Sequence, residues 1–94
     1  MSYELEFKES ALKEWRKLDP PIREQLKRKL GERLENPRVE TDRLRGFSDC
    51  YKIKLRSAGY RLVYQVNDDR IVVIVIAIGK RDRMKVYRSA RERT

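Results

Sequence analysis

Lys52, Lys54 and Arg56 alternate with apolar residues in the stretch YKIKLR, and Arg61 follows a few residues later. Because side chains of a β-strand point alternately to its two faces, this spacing predicts a strand with one core face and one cationic face. Like charges that face each other across strands repel, and this costs stability. The cations therefore favour a site for a polyanion whose phosphates relieve the repulsion, over a solvated sheet face.

The distribution of charge supports this interpretation. Residues 1–42 carry ten basic and ten acidic side chains, whereas residues 43–94 carry fourteen basic and five acidic ones. The whole net charge of +9 therefore lies in the second part of the chain. The first part is expected to be a neutral scaffold, and the second an anion-binding surface.

The residue types make several other kinds of site improbable. With no histidine and one cysteine, neither a metal nor a cofactor is expected. Cys50 is expected to be a small residue within a sheet, and Asp68 and Asp69 to form a turn. No apolar run reaches the roughly 18–20 residues needed to span a bilayer, and the stretch MSYELEFKES is unlike a secretory signal. A cytoplasmic protein without membrane contact is expected.

The first 37 residues predict a strand followed by two amphipathic helices. Apolar and acidic residues alternate in YELEF, as in a half-buried strand, and ESALKEWRKL carries one apolar stripe at helical spacing. An Asp-Pro pair at 19–20 predicts the start of the second helix, and an Asn-Pro pair at 36–37 its end. Leucines recur every four residues between them, so the helices are expected to form a hairpin that lies on a sheet.

The remaining residues predict three strands and a short helix. The strands are expected near 51–56, 60–66 and 71–78, and the last, IVVIVIAI, is apolar throughout, as is typical of a central strand covered on both faces. An even loop at SAGY would pair Arg56 with Arg61 and Lys54 with Val63 and keep core residues facing each other. The basic tail after Gly79 has helical propensity but few apolar anchors, so a weakly held helix is expected.

These elements define an α+β fold in a single domain, residues 1–94, with an N-terminal strand, a two-helix hairpin, a three-strand antiparallel meander and a short C-terminal helix. The helices are expected to cover one face of the sheet. The opposite face is expected to present the cations, joined by Lys80, Arg81 and Arg83 from the end of the central strand. Tyr64 and Trp15 are expected in the core, whereas Tyr87 is free to stack on a base.

Several stretches, among them ALKEWRKL, DCYKIKLRS, GYRLVYQV and GKRDR followed by VY, closely resemble the RelE toxins of bacterial toxin–antitoxin pairs. The resemblance extends over nearly the whole chain and implies the same compact α+β fold. It implies an endoribonuclease that binds in the ribosomal A site, cuts the mRNA codon there and halts translation. It also implies a RelB-like antitoxin that neutralises the toxin, and contact with operator DNA only through the antitoxin complex.

The resemblance also assigns site residues. It implies a catalytic set at Lys52, Lys54, Arg61, Arg81 and Tyr87. Further contacts to mRNA or 16S rRNA are expected from Arg45, Arg56, Lys80 and Arg83.

A nuclease without histidine must move protons with lysine, arginine or tyrosine, whose reference pKa values are about 10 or higher. Crowded cations disfavour a further charge, so a lysine of this cluster is expected to titrate below its ordinary pKa. Lys54, Lys52 and Tyr87 all remain candidates for the general base, and Arg81 is expected to stabilise the leaving oxygen. Two other functions remain open, a ParE-like toxin that poisons DNA gyrase and an RNA-binding module without activity.

Overall fold

The computed structural model describes residues 2–80 and 85–94 and has the predicted α+β fold. Its elements are β1 (Glu4–Phe7), α1 (Glu9–Arg16), α2 (Pro20–Glu35), a 3₁₀ turn (Glu40–Asp42), β2 (Cys50–Leu55), β3 (Tyr60–Asn67), β4 (Val72–Lys80) and α3 (Lys85–Arg93). Within the described ranges, no helix is long and apolar enough to cross a membrane.

The strands form one mixed sheet in the order β1-β4-β3-β2. The three later strands are the predicted antiparallel meander, and β1 pairs with β4 in parallel. The apolar strand β4 therefore lies inside the sheet, as its composition predicts. Strand β2, which carries the alternating lysines, lies at an edge.

The β2–β3 hairpin has the predicted even loop but not the predicted pairing. Residues 56–59 form the loop, and Lys54 lies opposite Arg61 rather than Val63. Arg56 is not paired with Arg61, because the turn begins one residue earlier, with Ala58 N–H donating to the Leu55 carbonyl. Gly59 has a φ of +70°, which a residue without Cβ adopts freely. The pairing moved by two residues, so every side chain stays on its predicted face.

Helices α1 and α2 cover one face of the sheet. Leu26 and Leu30 of α2 and Ala11 of α1 are fully or almost fully buried against strand residues that include Leu62 and Val75. Trp15 and Tyr64 join this core, as predicted, Trp15 partly and Tyr64 completely buried. This two-helix layer fixes the sheet whose other face carries the cations.

Helix α3 packs on the opposite face, which the sequence analysis left to the cations alone. Val86 and Ala90 are buried there against Val63, Ile76 and Ala77. Two anchors four residues apart on a helix lie on the same side of it, which suffices to seat this short segment. The cationic surface is therefore confined to the part of the face that α3 leaves open.

Charged contacts also attach the end of α3 to α1. The guanidinium of Arg93 donates to the Glu14 carboxylate at 2.8 Å and to the carbonyl of Ile76 at 2.9 Å. Glu14 also accepts the backbone N–H of Ile78 at 3.0 Å. Strand β1 pairs with β4 only as far as Val75, so these side chains satisfy the backbone of β4 where its neighbour has ended.

Candidate nucleic-acid interface

Lys52, Lys54 and Arg61 form a cationic cluster on the open part of the sheet. Lys54 and Arg61 are directly opposite each other on β2 and β3, and Lys52 is two residues along β2 on the same face. Both lysines are partly exposed, whereas Arg61 is only 9 % exposed. The structure thus brings together three of the five predicted catalytic residues.

The crowding in this cluster changes the titration of Lys54. The charge of Lys52 is the largest cause that lowers the pKa of Lys54 below its ordinary value, followed by desolvation, by a side-chain hydrogen bond with Lys52 and then by the charges of Arg61 and Arg56. Each cause disfavours the ammonium form, because a further positive charge is repelled and a less hydrated one is less stable. The direction agrees with the sequence-based expectation for a lysine of this cluster.

A shallow depression, the hairpin pocket, adjoins the cluster at the β2–β3 turn. It is lined by Lys54, Arg56, Gly59 and Arg61 and has a volume of about 310 Å³. The exposed side chain of Arg56 is therefore brought beside the cluster, as predicted, although it lies in the turn and not on the strand.

A larger depression, the arginine groove, lies on the other side of Lys52. Its volume is about 510 Å³, and it runs between α3 and the loop that precedes β2. It is lined by Leu44, Arg45, Phe47, Lys52, Tyr87, Arg88 and Arg91. The structure therefore places two further predicted residues, Arg45 and Tyr87, beside Lys52. Tyr87 is partly buried on α3 rather than free in a polar tail.

The remaining predicted site residues are not brought to the cluster by the described structure. Lys80 is exposed at the end of β4, opposite Tyr60, and Tyr60 packs towards the helix-covered core. Lys80 lines neither the hairpin pocket nor the larger depression. Arg81 and Arg83 lie outside the described residues. Their predicted roles stay predictions.

Sequence reasoning missed the support beneath the lysines. Arg33 of α2 donates to the Lys52 carbonyl at 3.2 Å and to the Tyr64 hydroxyl at 2.9 Å, and it forms an ion pair with Asp42 at 2.6 Å. Strand β2 is an edge strand, so this contact satisfies an acceptor that no neighbouring strand reaches. Arg33 lies three residues after Leu30 on the buried side of α2, and that spacing was the available signal.

Cys50 has the structural role that the sequence predicts. It is fully buried beside Val63 and Ala77, and burial raises the pKa of its thiol to about 11. A thiol that stays protonated is a poor nucleophile, so Cys50 is not suited to nucleophilic chemistry.

Known proteins share this fold and sequence. Residues 5–85 match the family described as the ParE toxin of the type II toxin–antitoxin system parDE. The mRNA interferase toxin RelE of Escherichia coli K12 is 63 % identical over 93 residues, which cover 99 % of this chain and 98 % of that protein. A free-state mutant of E. coli toxin RelE superimposes with a TM-score of 0.92 at 61 % identity and covers 99 % of this chain and 98 % of that chain. The toxin of the intact E. coli RelBE toxin–antitoxin complex gives a TM-score of 0.84 at 65 % identity, with 87 % of this chain and all of that chain covered.

The chain has an α+β fold with an open cationic face, and it matches a toxin family over most of its length. These features define a toxin of the type II toxin–antitoxin class. The chain belongs to the RelE/ParE toxin family, and the relatives that it resembles over its full length are RelE toxins.

Proposed function

We propose that this protein is a ribosome-dependent endoribonuclease that cuts mRNA in the A site and thereby halts translation. The observation that carries the proposal is the cationic cluster, in which Lys54 faces Arg61 and has a pKa lowered by Lys52. Its 63 % identical relative is named an mRNA interferase toxin, which points to mRNA as the polyanion.

The proposed reaction is attack of a ribose 2′-hydroxyl on the adjacent phosphate. The 2′-oxygen forms a bond to phosphorus, the bond from phosphorus to the 5′-oxygen of the next nucleotide breaks, and a 2′,3′-cyclic phosphate and a free 5′-hydroxyl result. The base takes the proton of the 2′-hydroxyl, and an acid returns one to the leaving oxygen. In this proposal, protein side chains provide both the base and the acid.

Lys54 is the proposed general base, because it lies directly opposite Arg61 and close to Lys52. A lysine must be in its neutral amine form before it accepts a proton, and the lowered pKa of Lys54 increases that fraction near neutral pH. Lys52 and Arg61 would then stabilise the phosphorane. Tyr87 would orient the nucleotide, Arg81 would stabilise the leaving oxygen, and the ribosome would align the mRNA.

Primer extension on programmed ribosomes tests the proposal. We expect a cut within the A-site codon, no cut in the same mRNA without ribosomes, and loss of more than about nine-tenths of the single-turnover rate in Lys54→Ala and Arg81→Ala. Arg28→Ala, which removes an exposed arginine of α2, is the matched control and should cut normally. Intact mRNA on ribosomes together with RNA binding would instead indicate a non-catalytic RNA-binding module.

A second candidate function is inhibition of DNA gyrase, because the matching family description is that of the ParE toxin. The full-length relatives are RelE toxins, so we expect supercoiling by gyrase to be unaffected at concentrations that stop translation. Loss of supercoiling with intact mRNA would reverse this assignment.

We further propose a cytoplasmic location, where ribosomes and mRNA are present, and neutralisation by a RelB-like antitoxin. A related E. coli toxin has been solved in a complex described as the intact RelBE toxin–antitoxin complex. The partners would be mRNA, 16S rRNA of the A site and the antitoxin, with operator DNA contacted only through the antitoxin complex. Co-purification with a co-expressed RelB-like antitoxin, and loss of mRNA cleavage in that complex, is the expected result.

A further inference from the structure

The arginine groove has the charge of a nucleic-acid site. Lys52 and the side chains of Arg45, Arg88 and Arg91 line it, and no carboxylate is among its lining residues. Elsewhere in residues 2–80 and 85–94, Arg33, Arg38, Arg43, Arg70 and Arg93 form ion pairs, whereas other arginines, such as the exposed Arg28, do not. The three groove arginines form none within those ranges. Their charge is left for an external anion.

One wall of the groove combines a guanidinium with an aromatic ring. The guanidinium of Arg91 lies over the ring of Phe47, with its central carbon 4.5 Å from the ring centroid. Gly46 leaves room for it, because a Cβ at that position would be only 3.3 Å from Nη2 of Arg91. Arg91 is exposed, so the guanidinium is backed by a ring on one side and accessible from the other. A guanidinium plane held in this way stacks on an unpaired base.

The groove is also continuous with the cationic cluster. Lys52 lines the groove, and Lys54, two residues further along the same face of β2, lines the hairpin pocket. A nucleotide bound in the groove would therefore place its neighbouring phosphate at the cluster. The lining combines three arginines and a lysine with Phe47 and Tyr87, which suits a base and a phosphate together.

We propose that the arginine groove binds one nucleotide of single-stranded RNA beside the phosphodiester that is cut, with its base stacked on Arg91 and its phosphate held by Arg45 and Arg88. The inference rests on the proposed nuclease function for the identity of the RNA, which would be mRNA. Phe47 acts through Arg91 as a positioning residue. Arg88 and Arg91 are thereby assigned a substrate-binding role that the sequence analysis did not give them.

Binding of a fluorescein-labelled six-nucleotide RNA with 2′-O-methyl riboses tests the inference, because that RNA cannot be cut. Stacking contributes about 1–3 kcal/mol per base, so Arg91→Ala should weaken binding by about tenfold. Arg91→Lys keeps the charge and loses the plane, so it should weaken binding several-fold with an unchanged salt dependence. Arg88→Ala should reduce the slope of log affinity against log salt by about 0.7, the value for one phosphate of a single strand.

Two controls keep the result interpretable. Arg28→Ala removes the same charge from the exposed side of α2 and should bind the RNA within about twofold of the wild type. Phe47→Tyr keeps the ring under Arg91 and should bind like the wild type, whereas Phe47→Leu should resemble Arg91→Lys. Thermal unfolding of every variant separates loss of binding from loss of the fold.

The inference and the proposed nuclease function fail in different ways. RNA binding that falls in the groove variants supports the inference even if the wild type leaves ribosome-bound mRNA intact, which would defeat only the nuclease proposal. If the wild type cuts mRNA, and Arg88→Ala and Arg91→Ala bind the RNA like Arg28→Ala, the groove inference is wrong. Weaker binding of the antitoxin by these variants, with RNA binding unchanged, would also overturn it by assigning the groove to a protein partner.

Discussion

Arg33 and Arg38, beside the helix-covered core, bind carboxylates and hydroxyls, whereas the basic residues that line the hairpin pocket and the arginine groove form no ion pair within residues 2–80 and 85–94. Arg33 is bonded to Asp42 and Tyr64, and Arg38 is bonded to Asp49, Asp68 and the hydroxyl of Tyr51. The open side holds the cationic cluster and the arginine groove, whose lining includes no acid. These two regions therefore differ in whether acidic side chains pair with their basic residues.

The acidic residues of the second part of the chain explain this difference. Residues 43–94 contain five acids, and Asp49 and Asp68 are both engaged by Arg38, away from the cluster. These carboxylates could have neutralised the cationic cluster, but the fold places them beside Arg38 instead. Repulsion left in place at one surface is typical of a functional site and atypical of a scaffold.

Replacing Lys54 by methionine should have the largest effect on activity and almost none on the fold. Loss of the base should slow single-turnover cleavage by about 100-fold or more. Removal of a like charge should leave the free energy of unfolding unchanged or slightly higher. Lys29→Met on the exposed side of α2 is the control for charge and should cut mRNA normally. Full activity in Lys54→Met would remove Lys54 from the mechanism.

Replacing Arg33 by methionine should have the opposite pattern, with a loss of stability. The change leaves Asp42, the Tyr64 hydroxyl and the Lys52 carbonyl without the partner that they share. The free energy of unfolding in urea should fall by about 2–3 kcal/mol, because partly buried polar groups lose a charged donor. Arg28→Met should change it by less than about 0.5 kcal/mol. Equal stability of the two variants would show that Arg33 does not support β2.

The pH dependence of cleavage should report the crowding in the cluster. If the neutral amine of Lys54 is the base, the rate should rise with pH until the pKa of Lys54 is passed. Lys52 is the largest cause of the lowered pKa of Lys54, so Lys52→Met should move this rise to higher pH, although Arg61 and Arg56 still face Lys54. A rise that stays in place in Lys52→Met but disappears in Tyr87→Phe would assign the base to Tyr87.

The smallest effect is expected where α3 is held to α1. Glu14→Gln keeps an oxygen for the Ile78 N–H but removes the ion pair with Arg93. The side chains of Arg93 and Glu14 are 24 % and 31 % exposed. The free energy of unfolding should fall by about 0.5–1 kcal/mol, as expected for a partly exposed ion pair. Amide exchange in α3 should become faster, while exchange in β3 should not change. Glu32→Gln, at an exposed position on α2, is the control. Equal amide exchange in both variants would show that Glu14 does not hold α3 to α1.

The sequence predicted the cationic face because it depends only on the period of a strand. Lys52, Lys54 and Arg61 would share a face in either of two registers, so the wrong pairing of Arg56 did not affect the prediction. The sequence did not predict the position of β1 in the sheet. The parallel pairing of β1 with β4 depends on how segments that are distant in the chain dock. No local pattern in residues 4–7 specifies that partner.

The sequence also failed where long side chains reach across elements. Arg33 and Lys52 are nineteen residues apart, and Arg91 and Phe47 come together only because α3 folds back over the sheet. Val86 and Ala90 were a usable signal for that packing, with apolar side chains one helical turn apart, but the many charges of the tail obscured it. The groove could therefore not be found before α3 was placed.

The pairing of the first strand with the last has a consequence for the order of folding. Glu4 lies beside Val72, so this edge of the sheet cannot close until nearly the whole chain has been synthesised. Strand β4 also supplies Val73 and Val75 to one core and Ile76 and Ala77 to the other. Such distant contacts fold slowly, and a chain shorter than about 80 residues lacks both cores' central strand. We therefore expect the cationic cluster to be assembled only near the end of synthesis of the chain.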